Sequence, residues 1–544
     1  MKVTENERKS FALYFSFGQF DHYIHRVEAW FCPVILRSSE AKKLQGRWSR
    51  AMATFLQHML LNDANGVTNS GITLVIGTTI CIIWARMSKF LTDGDGWAQT
   101  FSWKGASAIK ACPLCWNVVA DRHKARMGPP HVGLSDDVGF RVSTSEATFE
   151  IIDRLLLART KVATKSLTKT KFDAMQKRSG FRAEPHSLLA TVQLRPHLDF
   201  PDCCHLDWVH NFLQDGILNQ EMSALFTECK RLNVANADVD AMVRWACARQ
   251  WTYPYYIRSK QTAVEKLMSD AFSTGATIRV RCAAKELLAL YPIVRCYVDT
   301  EFEAKPAVAM HKTSFRLCCD MVSTFQERKQ RIITNDAASE KLSWLWPRWS
   351  KAHKTCYGVA YWKPKGHWAA HHPPQMKEVD MDMFCLERMN KRAKACAQQI
   401  TNTSRFERRV LLSIAVSHVS ALMAMGKFGI AELQARVDDQ HGYSNIKCAK
   451  RVFNDSSATF AKGDLVFNSS LDRLGHIVWC CAAGTEADRI HFVSVRTMRF
   501  VEKLCDRCSG WAYGSSTEQW KLDNLFHATA WCPNSDGSGI VVLH

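Results

Sequence analysis

Apolar positions in the first 125 residues follow two periods. Runs of β-branched and aromatic residues at Phe11–Phe17, Ile72–Ile76 and Ile80–Arg86 predict strands, and the segments around Asp21–Trp30 and Ser49–Leu61 predict helices. Gly77-Thr78-Thr79 separates two short apolar runs, so Ile72–Ile76 and Ile80–Ala85 are expected to pair as an antiparallel hairpin. This is an α/β pattern, and Met127-Gly-Pro-Pro-His-Val-Gly interrupts it. From about 140 to 350 the pattern is mainly helical, over Ala147–Leu157, Glu221–Leu232, Asp238–Ala248, Ala263–Phe272 and Ala283–Leu290. His-rich and then amphipathic helical sequence follows, with Val410–Met425 predicted as a core helix. Past Ser456-Ser457 the runs Gly463-Asp-Leu-Val, Gly475-His-Ile-Val-Trp, Arg489-Ile-His-Phe-Val-Ser-Val and Gly539-Ile-Val-Val-Leu are short and spaced by turns. They predict a small β-barrel or curled sheet. Four segments result: an α/β part over 1–125, a helical part over 126–350, further helices over 351–455 and a small β domain over 456–544. No repeat or low-complexity tract interrupts them.

Composition narrows the class. A hydrophobic content of 47% with 18 Trp excludes a disordered chain. The apolar stretch Ile72–Trp84 is too short to cross a bilayer, and Val410–Met425 carries Ser413, Ser417, His418 and Ser420, so no membrane span is expected. The 71 basic and 52 acidic residues leave a net charge of +19, which favours a polyanionic partner, with nucleic acid ahead of an acidic membrane. Within Arg159–Arg182, Lys161, Lys165, Lys169, Lys171, Lys177 and Arg178 stand with little acid among them. That segment suits a phosphate backbone, a solvated helix face being the alternative. Twenty-one Cys residues, an odd number, with no signal peptide in Met1–Phe20, point to a reducing compartment with free or metal-bound thiols. The doublets Cys203-Cys204, Cys318-Cys319 and Cys480-Cys481 are expected to be buried as small apolar groups.

Candidate chemistry begins at Asp93-Gly-Asp95-Gly-Trp, which follows a β-branched run and precedes Lys104-Gly-Ala-Ser and Cys112-Pro-Leu-Cys115. Asp95, or Asp93 in its place, is a carboxylate suited to Mg²⁺, and a plain Asp-Gly turn is the competing reading. Cys112 and Cys115 have the spacing of half a zinc site. Their partners are open: His123 is near, while Cys203, Cys204 and His205 are distant. Cys505 and Cys508 form a second such pair. Asp207 and His210 lie at i, i+3 ahead of the apolar run Leu213–Leu218, on one face if helical. His367 and His371, at i, i+4, suit one metal or one phosphate. Phe384-Cys-Leu-Glu387-Arg-Met-Asn-Lys-Arg predicts a helix start with an inward Glu387 and a basic outer face.

In this order, the motifs resemble transposase-derived proteins of the CACTA and hAT-like kind over about residues 8–430. The resemblance implies an RNase H-like core, a large helical insertion before the last helix, and three carboxylates that bind two Mg²⁺ for strand cleavage and transfer. Asp95 matches the second carboxylate and Glu387 the last. Asp207 and His210 match the Asp-x-x-His signature of the insertion, and Cys112 and Cys115 match the knuckle after the second carboxylate. The family's first Asp precedes the segment matching Phe11–Phe17, where this chain starts. The expectation is therefore a truncated or degenerate copy in the nucleus that binds duplex DNA, holds Zn²⁺, and needs Mg²⁺ only if active. Asp95 and Glu387 are expected to approach each other. A zinc-stabilised chromatin or RNA adaptor, acting through the C-terminal β domain, is the alternative from another class, since Gly463-Asp-Leu-Val opens that domain in the manner of small chromatin-associated barrels. An active Mg²⁺-dependent nuclease or strand transferase is the third reading.

Overall fold

The computed structural model of the chain describes residues 10–63, 66–76, 78–105, 108–253, 264, 271–274, 277–378, 381–400, 404–425, 447–449, 451–453, 459–483, 490–504, 508–522, 524–528, 530–534 and 538–542. It mixes helix and strand and divides into two compact units. The first comprises Met1–Asp207, Trp362–His371 and Met381–Ser420; the second comprises Trp208–Tyr361, His372–Asp380 and Ala421–His544. Among the described residues no helix is long and apolar enough to cross a membrane.

Among the described residues of the first unit the strands form four two-stranded pairs. Strands β1 (Ser10–Phe15) and β2 (Phe31–Arg37) pair antiparallel, with Leu13 opposite Val34. The expected hairpin is present as β3 (Ile72–Ile76) and β4 (Thr79–Ile83), so its second strand starts and ends earlier than the apolar run suggested. Strands β5 (Phe90–Thr92) and β8 (Cys204–Leu206) pair parallel, as do β6 (Val118–Val119) and β7 (Val132–Gly133). The segment expected as a helix over Asp21–Trp30 is two 3₁₀ turns, Gly18–His25 and Val27–Ala29. The helix Arg47–Leu61 buries Trp48, Met52, Leu56 and Leu60, spaced by four residues along one face. Its Ser49 hydroxyl, also buried, donates to the Thr100 carbonyl at 2.5 Å and accepts from the Leu188 amide at 2.8 Å. The helix Phe406–Met425 buries Phe406, Val410 and Ile414 against Ile35 and Cys396. It is a core helix on that face alone, because Leu412, Val416, Val419 and Met423 are exposed.

The second unit begins with a π-helical turn, Val209–Leu213, and continues through the helices Ile217–Arg231, Val239–Cys247, Ala284–Glu301, Ala309–Lys329 and Asn335–Tyr357. Of the helices expected between 140 and 350, four are therefore present, Ala147–Leu157 falling within Ser145–Ala163 of the first unit. Most of Ala263–Phe272 lies outside the described residues, and Phe272 opens β9 (Phe272–Thr274), paired with β10 (Ile278–Val280). Glu221 is fully buried among three of the second unit's helices. One carboxylate oxygen accepts from Ser314 Oγ at 3.0 Å, Trp349 Nε1 at 2.6 Å and His353 Nδ1 at 2.6 Å. A buried carboxylate persists only with such partners, which makes this pin specific as well as cohesive.

The C-terminal strands are β11 (Lys447–Ala449), β12 (Arg451–Phe453), β13 (Thr459–Ala461), β14 (Leu465–Asn468), β15 (Arg473–Ala483), β16 (Ile490–Lys503), β17 (Cys508–Lys521), β18 (Leu525–His527), β19 (Ala530–Pro533) and β20 (Ser538–Val542). Seven of them run in the order β18-β14-β15-β16-β17-β20-β19, all antiparallel, with β11 added beside β15. Leu465 belongs to one core cluster and Val466 to another, so both faces of the sheet are covered, as the period-two alternation of a strand requires. The expected barrel is not closed: β18 and β19 are the two edges and do not pair. Only two residues separate them in sequence, so the sheet curls until one strand leaves one edge and the next joins the other. Closure would need a continuous hydrogen-bond ladder between those two edges.

Candidate metal centre and basic surface

The Cys-x-x-Cys knuckle is set by short pairings on both sides. Lys110 bridges Val119, Cys115 bridges Val142, and the Leu114 carbonyl accepts from the Ser143 amide at 2.8 Å. Asn117, fully buried, donates to the Pro130 and Gly139 carbonyls and accepts from the Arg141 amide at 2.8 Å. The other half of the centre comes from the short helix Pro364–Trp368 and the 3₁₀ turn Ala369–His371. Trp362 Nε1, just ahead of that helix, donates to the Leu134 carbonyl at 2.8 Å. Gly366 lies against the Trp362 ring, where a Cβ would come within 2.7 Å of it; only glycine permits that approach.

These elements bring Cys112, Cys115, His367 and His371 together, all buried, with their ligand atoms within 4.8 Å of one another. Cys112 Sγ lies 3.5 Å from His371 Nε2, and Cys115 Sγ lies 3.5 Å from His367 Nε2 and 3.3 Å from His371 Nε2. The two imidazole Nε2 atoms are 3.4 Å apart. A tetrahedral Zn²⁺ with Zn–S of about 2.3 Å and Zn–N of about 2.0–2.1 Å requires edges of about 3.3–3.8 Å, so the donor set fits zinc in type, number and spacing. Phe140 packs on both imidazoles, at 5.2 Å from His367 and 5.9 Å from His371, and closes the site. Four protein donors leave no open position, which is the arrangement of a structural centre.

The two thiols of the pair are shifted in opposite directions. Burial opposes ionisation of Cys112, but the hydrogen bond from Cys115 and the charges of His371 and His367 outweigh it and hold that thiol well below its usual range. Cys115 is pushed up, first by its hydrogen bond to Cys112 and then by burial. Lys110, only 4% exposed, is pushed down to about 8 by burial against the opposing pull of Cys112 and Cys115. Its ammonium sits 5.5 Å from the Phe181 ring.

Among the described residues this is the only set of three or more His, Cys, Asp or Glu side chains with converging ligand atoms. His123, Cys203, Cys204 and His205 do not belong to it. Cys508 is buried, and Cys505 lies outside the described residues. The doublets at 203–204, 318–319 and 480–481 are all buried, as expected.

Asp93 caps the helix Gly94–Thr100, accepting from the Gly96 amide at 2.7 Å, so Asp95 falls in the first helical turn and is exposed. Glu387 is half-buried on the helix Met383–Gln399, in the same compact unit as Asp95. Asp207, 4% exposed, accepts from the Met383 amide at 3.1 Å, beside the helix cap Asp382. His210 sits in the π-helical turn, so Asp207 and His210 do not share an α-helical face. Since β5 and β8 are parallel, with Thr92 opposite Leu206, Asp93 and Asp207 follow the carboxyl ends of neighbouring strands.

The basic segment forms a helical hairpin, Ser145–Ala163 and Lys169–Ser179. Lys161, Lys165, Lys169, Lys171, Lys177 and Arg178 are all exposed on it. A cavity of about 600 Å³ lies on the C-terminal sheet, with Phe467, Phe500 and Trp511 and with Asp472, Arg499 and Glu518 among its lining residues. No family model matches the chain, and no curated protein matches it.

Proposed function

We propose that this chain is a duplex-DNA-binding protein of transposase-like descent, acting in the nucleus, with a structural zinc at Cys112, Cys115, His367 and His371. The observation that carries the reading is the hairpin Ser145–Ser179, on which Lys161, Lys165, Lys169, Lys171, Lys177 and Arg178 are all exposed to solvent, with Asp173 as the only acid between Arg159 and Arg182. Each phosphate such a surface neutralises releases counterions, which is the main source of affinity for duplex DNA. The RNase H-like core belongs to the same proposal. It is supported by the parallel β5–β8 pair, followed at the end of β8 by Asp207 and the long helical excursion.

Titrating labelled duplex against the purified protein tests the reading. Affinity is expected to fall steeply between about 50 and 200 mM salt, and replacing Lys161, Lys165, Lys169 and Lys171 by Gln should flatten that dependence by about one slope unit for each phosphate that is no longer neutralised. No binding at low salt would reject it.

A second reading, Mg²⁺-dependent strand cleavage, is favoured by one observation. Asp93 and Asp207 follow adjacent parallel strand ends, and Asp207 bonds the start of the helix that carries Glu387. Carboxylates outside the carboxyl ends of parallel strands are well placed for ligands. Incubating the same duplex with Mg²⁺ or Mn²⁺ decides: nicking that vanishes in Asp207→Asn and Glu387→Gln would establish an enzyme, and intact duplex would leave a binding protein.

A further inference from the structure

The basic hairpin is rooted in the strands around the zinc knuckle. At its entry the Leu114 carbonyl accepts from the Ser143 amide at 2.8 Å, and the Arg141 carbonyl accepts from the Trp116 amide at 3.0 Å. At its exit the Lys177 carbonyl accepts from the Ile109 amide at 3.2 Å, the Gly180 carbonyl from Lys104 at 2.8 Å, and the Ser102 carbonyl from Arg182 at 2.8 Å. Trp103 and Phe181 form an antiparallel bridge between the last two of these bonds. Both ends of the hairpin therefore hang on residues 102–116, which contain Cys112 and Cys115.

The Trp103–Phe181 pairing sets Lys104 opposite Gly180 and Arg182 opposite Ser102, so Lys104 and Arg182 stand on the same face of the pair, the one away from the buried Trp103 and Phe181 rings. Lys104, half-buried, has its ammonium lowered from the usual range by burial, then by the like charge of Arg182, with Lys177 adding to it and Asp173 opposing. Like charges crowded at one place cost free energy unless an anion is bound there. Gly180, at φ +81°, ends the second helix where a Cβ would come within 3.1 Å of Lys110 Cβ, so the turn lies tight on the knuckle.

We infer that Lys104, Lys177 and Arg182 form a phosphate-binding site at the root of the hairpin, set in place by the metal-loaded Cys112–Cys115 knuckle. The inference rests on the duplex-binding reading and adds to it the residues that grip one or two backbone phosphates. The metal needs no contact with DNA; it holds the segment from which both hairpin ends are suspended.

The test uses full-length zinc-loaded protein and a labelled duplex, with affinity measured over a series of salt concentrations. The double variant Lys104→Gln/Arg182→Gln is expected to bind roughly tenfold or more weakly, with a log–log salt slope shallower by about 2. Lys104→Arg/Arg182→Lys should restore binding, and the charge-matched surface control Lys42→Gln/Lys43→Gln should leave it unchanged. Zinc content of the Gln variant should equal that of the parent, and parent stripped of metal should bind as weakly as the variant. Parent-like affinity and slope in the Gln variant, while the Lys161/Lys165/Lys169/Lys171 variant loses binding, would overturn the root site and leave the hairpin reading standing. Undiminished affinity of the stripped protein would overturn the role of the knuckle. A parent that binds no duplex would overturn the site and the reading together.

Discussion

Four residues of the centre differ in how far their role could be read from their neighbours. Cys112 and Cys115 carry a recognisable ligand spacing, and so do His367 and His371, but each pair is only half of a site. Joining them depends on the 252-residue separation between Cys115 and His367, and no local rule predicts that return. The parent should hold close to one zinc ion per chain, and Cys112→Ser or His371→Ala should hold almost none. Metal analysis of the purified proteins measures this, and Co²⁺ substitution provides a spectroscopic check, because mixed Cys/His tetrahedral sites give intense visible bands. Acidification should release the metal, since protons compete with it for thiolate and imidazole. Parent protein free of zinc after purification and reconstitution would reduce the cluster to buried packing. Of the two carboxylates after β5, Asp93 caps the helix Gly94–Thr100 and Asp95 is exposed in its first turn.

Elements were legible where one period dominated. The helices Arg47–Leu61, Ile217–Arg231, Val239–Cys247 and Ala284–Glu301 lie where apolar residues recur at three and four positions. Asp21–Trp30 misled because its aromatics pack locally, Trp30 Nε1 donating to the Ile24 carbonyl at 2.6 Å within a succession of 3₁₀ turns. The helix Phe406–Met425 is tied to β2 by Arg37, whose Nε donates to Glu407 Oε1 at 2.7 Å. Burial opposes the Glu407 charge, but the hydrogen bonds from Arg37 prevail and hold its carboxyl below the usual range. A depressed carboxyl stabilises the fold above its unfolded-state pKa, and this contribution disappears as pH falls through the folded-state value. Glu407→Gln should therefore cost about 1–2 kcal/mol at neutral pH, for a half-buried charge-assisted pair, and close to nothing below that range. Denaturant unfolding of parent and variant at pH 7 and at acid pH measures both; an equal difference at the two pH values would show that the ion pair is not its source.

At the scale of the molecule the charge is unevenly spread. Residues 447–544 carry 11 basic and 10 acidic side chains, so almost all of the +19 excess lies upstream of the C-terminal sheet. The steep salt dependence expected of duplex binding should accordingly be insensitive to charge-neutralising changes on that sheet, such as Arg496→Gln with Arg499→Gln. A large loss of affinity in that variant, measured by the same titration, would shift the DNA-binding surface to the β domain. Composition and periodicity by themselves determined the mixed α/β character, the helical middle, the all-β end, the buried cysteine doublets and the basic stretch, because propensity, burial pattern and charge act over a few residues. Only the tertiary structure decided that one compact unit takes in residues 362–371 and 381–420 after a long excursion, that the β sheet stays open at β18 and β19, and that two half-sites make one four-ligand centre. Those outcomes depend on which distant segments pack together. The free energy of that choice is spread over many packed side chains, and no short motif encodes it.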